Sequence, residues 1–212
     1  MSLTGFSAND PRLVRTEEHR YFLGEQELIG VTAVLSESGL ADFSAPWFTN
    51  EVKQRGQFVH AAIALDVEGA LDEETLDPAL MPYVYGWRKF LEETGAEVEY
   101  SETKLCDPAL GLAGTLDAIV RYPHEKVAAR RELLDIKPAL YPSVKPQTAA
   151  YVRMARALYP TTVYFHRAAL ILPGDGSYTR EPLTDTTDDA LFLSALRVVQ
   201  FRRTHGIGRR AA

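Results

Sequence analysis

Cysteine is almost missing from this chain: Cys106 is the single one in 212 residues. A lone thiol forms no internal disulfide and cannot build a four-cysteine zinc or iron–sulfur centre. No stretch approaches the roughly 20 apolar residues that a membrane helix needs. The opening Met1–Phe6 lacks the basic and apolar regions of a secretory signal. No G-x-x-x-x-G-K-[ST] occurs, so the chain carries no phosphate loop of a nucleotide-driven motor. Internal repeats and low-complexity segments are absent too. These absences leave a globular protein, expected in a reducing cytoplasm and away from membranes.

What is present suits a folded domain. Hydrophobic residues make up 46% and charged residues 25%, near the globular average. A chain of this size buries about 70% of its unfolded surface. Its length suits one domain spanning residues 1–212. The net charge is −6, but its distribution is uneven. Residues 66–102 hold eleven acids against Arg88 and Lys89, a local charge of −9 that leaves the remainder at +3. The last sixteen residues hold Arg197, Arg202, Arg203, Arg209 and Arg210 and no acid. Such an end suits a phosphate backbone, and equally a solvated tail.

The hydrophobic period changes along the chain. Residues 19–35 read as two short strands around Gly24, and 36–47 as irregular. Thr49 or Asn50 can cap a helix running to about Asp66, with Val52, Gly56, Val59 and Ile63 on one stripe. After an acidic loop, a helix is expected over about 79–94, stopped by Gly95. Strands follow at 97–102, 112–122 and 131–137, then a proline-fenced loop and a helix over about 145–159. A β-rich run covers 161–172, with a turn at Gly174-Asp175-Gly176 inside a loop to 185. A last helix covers about 187–205. The order is that of an α/β fold.

Most residues able to carry chemistry lie on the strands and helix from 112 to 159, with a few upstream. Residues two apart on a strand share a face. Asp135 and Lys137 therefore point one way while Leu134 and Ile136 enter a core. On the preceding strand Asp117 follows Gly114-Thr115, a pair that leaves room around it. If the two strands are neighbours, two carboxylates and an ammonium converge, a set suited to a hard divalent ion. An isolated D-x-K is also what a cross-strand ion pair looks like. Gln147 and Tyr151, four apart, share a face of the next helix. His60 sits upstream in Arg55-Gly56-Gln57-Phe58-Val59-His60 on the first long helix, its imidazole either a metal ligand or a core-flanking group. Glu99 is a further acid whose facing the alternation leaves open.

Taken in order, R-G-x-x-V-H on a helix, G-T-x-D on a strand, D-I-K on the next and Q-x-x-x-Y on a helix resemble the PD-(D/E)XK nuclease superfamily, in its RecB-like and phage-exonuclease branch. The resemblance covers about residues 50–172. It implies a restriction-endonuclease-like α/β core, a central mixed sheet flanked by helices in the order α-β-β-β-α-β. An N-terminal β-hairpin would precede this core, and a basic C-terminal helix and tail at 187–212 would follow. It further implies Asp117 and Asp135 as acidic metal ligands and Lys137 as the catalytic lysine. His60 and the backbone carbonyl of Ile136 would complete the metal site. Gln147 and Tyr151 would support the site and the DNA backbone, and Arg55 would contact a phosphate. The implied activity is Mg²⁺- or Mn²⁺-dependent hydrolysis of DNA from its ends, in phage or recombination processes, with a homo-oligomer or a recombination protein as partner. An endonuclease of the same fold and a catalytically silent DNA-binding module are the alternatives. The chain departs from the branch in placing Pro138 after the lysine, where Thr or Ser is frequent, and it lacks the four cysteines of the iron–sulfur relatives.

Overall fold

The computed structural model describes residues 10–42, 44–46, 48–124 and 130–207. Among the described residues, eight strands form one mixed sheet. The chain opens with β1 (Leu13–Arg15), β2 (Tyr21–Leu23) and β3 (Gln26–Gly30), an antiparallel meander. Helix α1 (Val31–Ser38) follows, then α2 (Asn50–Val67) and α3 (Met81–Thr94). The centre is β4 (Glu97–Asp107), β5 (Leu112–Arg121) and β6 (Arg130–Lys137). Helix α4 (Val144–Ala155), β7 (Tyr164–Ile171), β8 (Thr179–Pro182) and α5 (Asp188–His205) complete it.

The expected α/β architecture is present, with three additions. Val31–Ser38, expected to straddle a strand end and an irregular stretch, is helical. Its β-branched composition argues against a helix, but burying Val34 and Leu35 completely against the core outweighs a weak local preference. The expected N-terminal hairpin has an extra strand, β1, whose three residues are too few to show a period. Thr179–Pro182, expected as loop, pairs antiparallel with β7 as the sheet's edge, the place where a strand tolerates proline. Gly174-Asp175-Gly176 lies in the connection of that hairpin. Arg209 and Arg210 of the basic tail, and Met1–Phe6, lie outside the described residues.

Each face of the sheet has its own core. On one face α1, α4 and α5 pack Val34, Leu35, Met154, Phe192 and Leu196 onto Leu116, Ile119 and Leu133. On the other, α2 and α3 pack Val59, Ile63, Trp87 and Phe90 onto Ala118, Val120, Leu134 and Ile136. Burial of this kind stabilises by about 1.5–3 kcal/mol for each large side chain. A polar contact also crosses the sheet. Glu132, 0% exposed, accepts from Arg180 Nε at 2.7 Å and from the Tyr122 hydroxyl at 2.6 Å, with Arg130 at 3.5 Å.

The connectivity of β5 positions everything that follows. One edge pairs along its length with β4. On the other edge, Leu112 and Ala113 pair with β3 in parallel, whereas Ala118–Val120 pair with β6 antiparallel. Between those partners lies Gly114–Asp117, where neither strand pairs with β5. The G-T-x-D segment therefore occupies the gap where β5 changes neighbours.

Candidate functional site

At that gap both β4 and β5 break their alternation. Leu112 and Leu116 face the α4 side, but past Asp117 it is Ile119 that does so, while Ala118 and Val120 turn to α2 and α3. On β4, Leu105 and Tyr100 both face the α4 side although they are five positions apart, which in an unbroken strand puts them on opposite faces. Ser101 pairs with Ala118 and Thr103 with Leu116, which sets Glu102 across from Asp117. Glu102 has a φ of 42°, a left-handed conformation that costs a non-glycine residue of order 1–3 kcal/mol and concentrates at functional sites.

The break aims Glu102 and Asp117 at one point, and α2 brings His60 to it. His60 Nδ1 lies 3.0 Å from Glu102 Oε1 and 3.6 Å from Asp117 Oδ1. One ligating atom from each of the three residues lies within 4.8 Å of the others. The second oxygen of Asp117 accepts the Ile136 N–H at 2.6 Å, bridging the gap between β5 and β6. It also lies 3.6 Å from Lys137 Nζ. Lys137 Nζ stands 2.9 Å from Asp135 Oδ2 and donates to the Ile136 carbonyl at 3.3 Å.

These contacts set the protonation states. Burial alone would lower the Lys137 pKa, but Asp117 and Asp135 outweigh it and raise it, so the ammonium persists. Burial pushes the Asp135 carboxyl up to about 6, with Lys137 opposing and Asp117 adding to the rise. Burial would also lower His60, but Asp117 and Glu102 together raise it.

The residues present fit a divalent cation. Three carboxyl groups, Glu102, Asp117 and Asp135, gather around the single Lys137 ammonium and one imidazole. Asp135 is 1% exposed, and among the described residues its oxygens meet only Lys137 Nζ, at 2.9 Å and chiefly as a charge. A buried carboxylate left this way is costly without a further cationic partner. Carboxylate oxygens with one imidazole suit a divalent cation that prefers oxygen and nitrogen donors over thiolate.

The group lies in a cleft of about 1450 Å³. His60, Asp117, Ile136, Lys137, Gln147, Tyr151 and Arg55 all line it. Asp135 does not; it sits behind Lys137, and Glu102 lines the wall in its place. Arg55 is exposed at the cleft together with Lys53 and Arg15. Tyr151 is 3% exposed, its pKa raised by burial first and by Tyr21, Asp117 and Asp135 next, against a hydrogen bond with Gln147. Its ring occupies the space that Gly114 leaves. A Cβ on Gly114 would stand 2.6 Å from Tyr151 Cε1 and 3.2 Å from Val31 Cγ2. Gly114→Ala is therefore expected to cost about 1–3 kcal/mol in urea denaturation, and an unchanged midpoint would show that the ring moves freely.

Glu102 is the site residue that sequence reasoning misses. Glu99, the acid considered there, is held by Arg131 at 2.6 Å and the Tyr159 hydroxyl at 2.7 Å, outside the cleft lining. Strand alternation could not single out Glu102, because alternation fails at that residue.

No protein-family model and no curated protein matches the sequence. Among solved structures, the chain is similar to an alkaline exonuclease from Laribacter hongkongensis, at 16% identity and a TM-score of 0.33, over 84% of this chain and 93% of that one.

Proposed function

We propose that this chain is a single-domain, divalent-metal-dependent deoxyribonuclease, with the PD-(D/E)XK residue set, that degrades DNA from its ends. The observation that carries the reading is the convergence of Asp117, Lys137, His60 and Glu102 in one cleft, with Asp135 directly behind the lysine. In it, His60, Glu102 and Asp117 hold Mg²⁺ or Mn²⁺, with Asp135 and the Ile136 carbonyl beside them. A bound ion of this kind stabilises charge on a phosphate and lowers the pKa of a bound water.

The chain's own residues do the rest. Phosphodiester hydrolysis depends mainly on positioning and electrostatics. Lys137 stays protonated and offers a fixed positive charge to the phosphate as negative charge grows on it. Asp117 holds the spacing between His60 and Lys137 with its two oxygens and locks β6 through the Ile136 N–H. Tyr151 and Gln147 brace the wall behind. Arg15, Lys53 and Arg55 stand where the backbone of an entering strand needs neutralising. A setting in phage or recombination processes follows from the sequence resemblance alone, and a cytoplasmic one from the single cysteine.

The test is digestion of end-labelled linear duplex beside a covalently closed circle, in Mg²⁺, in Mn²⁺ and in EDTA. Metal-dependent loss of the linear DNA alone is the expected result. Cutting of the circle at a similar rate would replace the exonuclease by an endonuclease. Cleavage of neither, with single strands also tried, would overturn the catalytic reading in favour of a binding module.

A further inference from the structure

One wall of the cleft reaches across to the other. The turn between β1 and β2 is tightly built: Thr16 N–H donates to the Arg20 carbonyl at 2.8 Å and His19 N–H to the Thr16 carbonyl at 3.0 Å. Its base is anchored, because Leu13, Tyr21 and Leu28 are buried against Cys106 and Ala113. The Tyr21 hydroxyl lies 3.0 Å from Thr115 Oγ1, next to the gap in β5. At the tip, the carboxamide nitrogen Nε2 of Gln57 on α2 lies 3.1 Å from His19 Nε2. Arg15 donates to His19 Nδ1, so Nε2 carries the proton, and the Gln57 amide accepts it once turned over to exchange its nitrogen for its oxygen. His19 holds this position with a φ of 61°, an unfavourable conformation for a residue with a side chain.

Gln57 stands three residues before His60 on the same helix face, about 4.5 Å along the axis. Arg15 to His19, with Lys53, Arg55 and Gln57, line the same cleft as Asp117 and Lys137. We propose that the His19–Gln57 contact straps the cleft over the acidic group, so that a strand reaches it only by passing a free end beneath the strap. His19 and Gln57 are then specificity-determining residues that impose the need for an end. Arg15 and Lys53 beside the strap supply charge for the strand's phosphates. The inference rests on the nuclease reading and adds to it a structural reason for acting at ends.

Two substitutions open the strap with little risk to folding. His19→Gly suits the left-handed backbone, and Gln57→Ala changes an exposed helix position to the best helix former. Wild type and the double variant would be compared on linear and covalently closed circular DNA, each as single strand and duplex. The ratio of circular to linear cleavage is expected to rise at least about tenfold in the variant. A ratio unchanged within about twofold, in a variant with wild-type thermal unfolding, would overturn the strap. So would a wild type that already cuts circles as fast as linear DNA.

A second arm fixes the strap shut. His19→Cys with Gln57→Cys, bridged by a short bis-maleimide, should still digest strands with free ends and should fail on circles. Cys106 is 3% exposed with its thiol pushed up to about 11, so it would not compete for the reagent. Loss of free-end digestion on bridging would show that the strand does not pass beneath. If wild type cleaves no DNA at all, the nuclease reading itself falls, and the strap with it.

Discussion

Lys137→Ala is expected to lower metal-dependent DNA cleavage by about 100- to 1000-fold, the usual cost of removing one fixed donor from a site of developing negative charge. The ammonium lies 2.9 Å from Asp135 and 3.6 Å from Asp117, and among the described residues it is the one cation in contact with both. Without it, Asp135 at 1% exposure loses its main counter-charge, and its carboxyl rises further and takes up a proton. That response spares the fold while removing the charge from the cleft. Glu102→Gln should behave differently. It leaves Lys137 in place and weakens the metal group, so the metal concentration for half-maximal rate should rise by about 10- to 100-fold. Rates measured across a Mg²⁺ titration separate the two. A Lys137→Ala protein that is folded and retains more than about a tenth of wild-type cleavage at saturating metal would remove the lysine from the catalytic set.

The second large effect is on stability. Arg180→Ala should cost about 3–5 kcal/mol, because it strands a buried carboxylate. Glu132 is 0% exposed and takes two bonds from Arg180, one at 2.7 Å. Burial works to raise its pKa, and Arg180 with Tyr122 and Arg130 outweighs burial and lowers it. A carboxyl lowered in the folded state contributes stability that is complete above its unfolded pKa and fades as pH falls through the folded value. Arg180→Ala reverses the shift, since burial then dominates. The variant's deficit should be largest at neutral pH and shrink as pH approaches about 4. Replacing Glu132 and Arg180 together by leucine should recover most of the loss. Urea denaturation at pH 7 and pH 4 measures all three proteins, and a deficit that does not depend on pH would exclude the stranded charge as its cause.

The two predictions draw on different levels of information. The D-x-K face, the room beside Gly114 and the shared face of Gln147 and Tyr151 are legible from period and spacing, because strands repeat every two residues and helices nearly every four. The helices from Asn50 and Met81, with their cap at Thr49 and stop at Gly95, are legible for the same reason. These signals are local. Three features are not. Val31–Ser38 is helical because a core waits for Val34 and Leu35, while its own residues prefer extension. Thr179–Pro182 is a strand because β7 offers it an edge. Glu102 joins the site because β4 and β5 break step together where β5 exchanges β3 for β6.

The sequence by itself thus determined the α/β order, the face shared by Asp135 and Lys137, and the helix placing His60. Covalent geometry and period dictate those without reference to distant residues. The tertiary structure alone decided that Glu102 rather than Glu99 meets Asp117, that Asp135 lies behind the lysine, and that His19 reaches Gln57. Each of these depends on strand register and on the meeting of elements far apart in the chain, and a broken alternation erases the only local record of which side a residue faces.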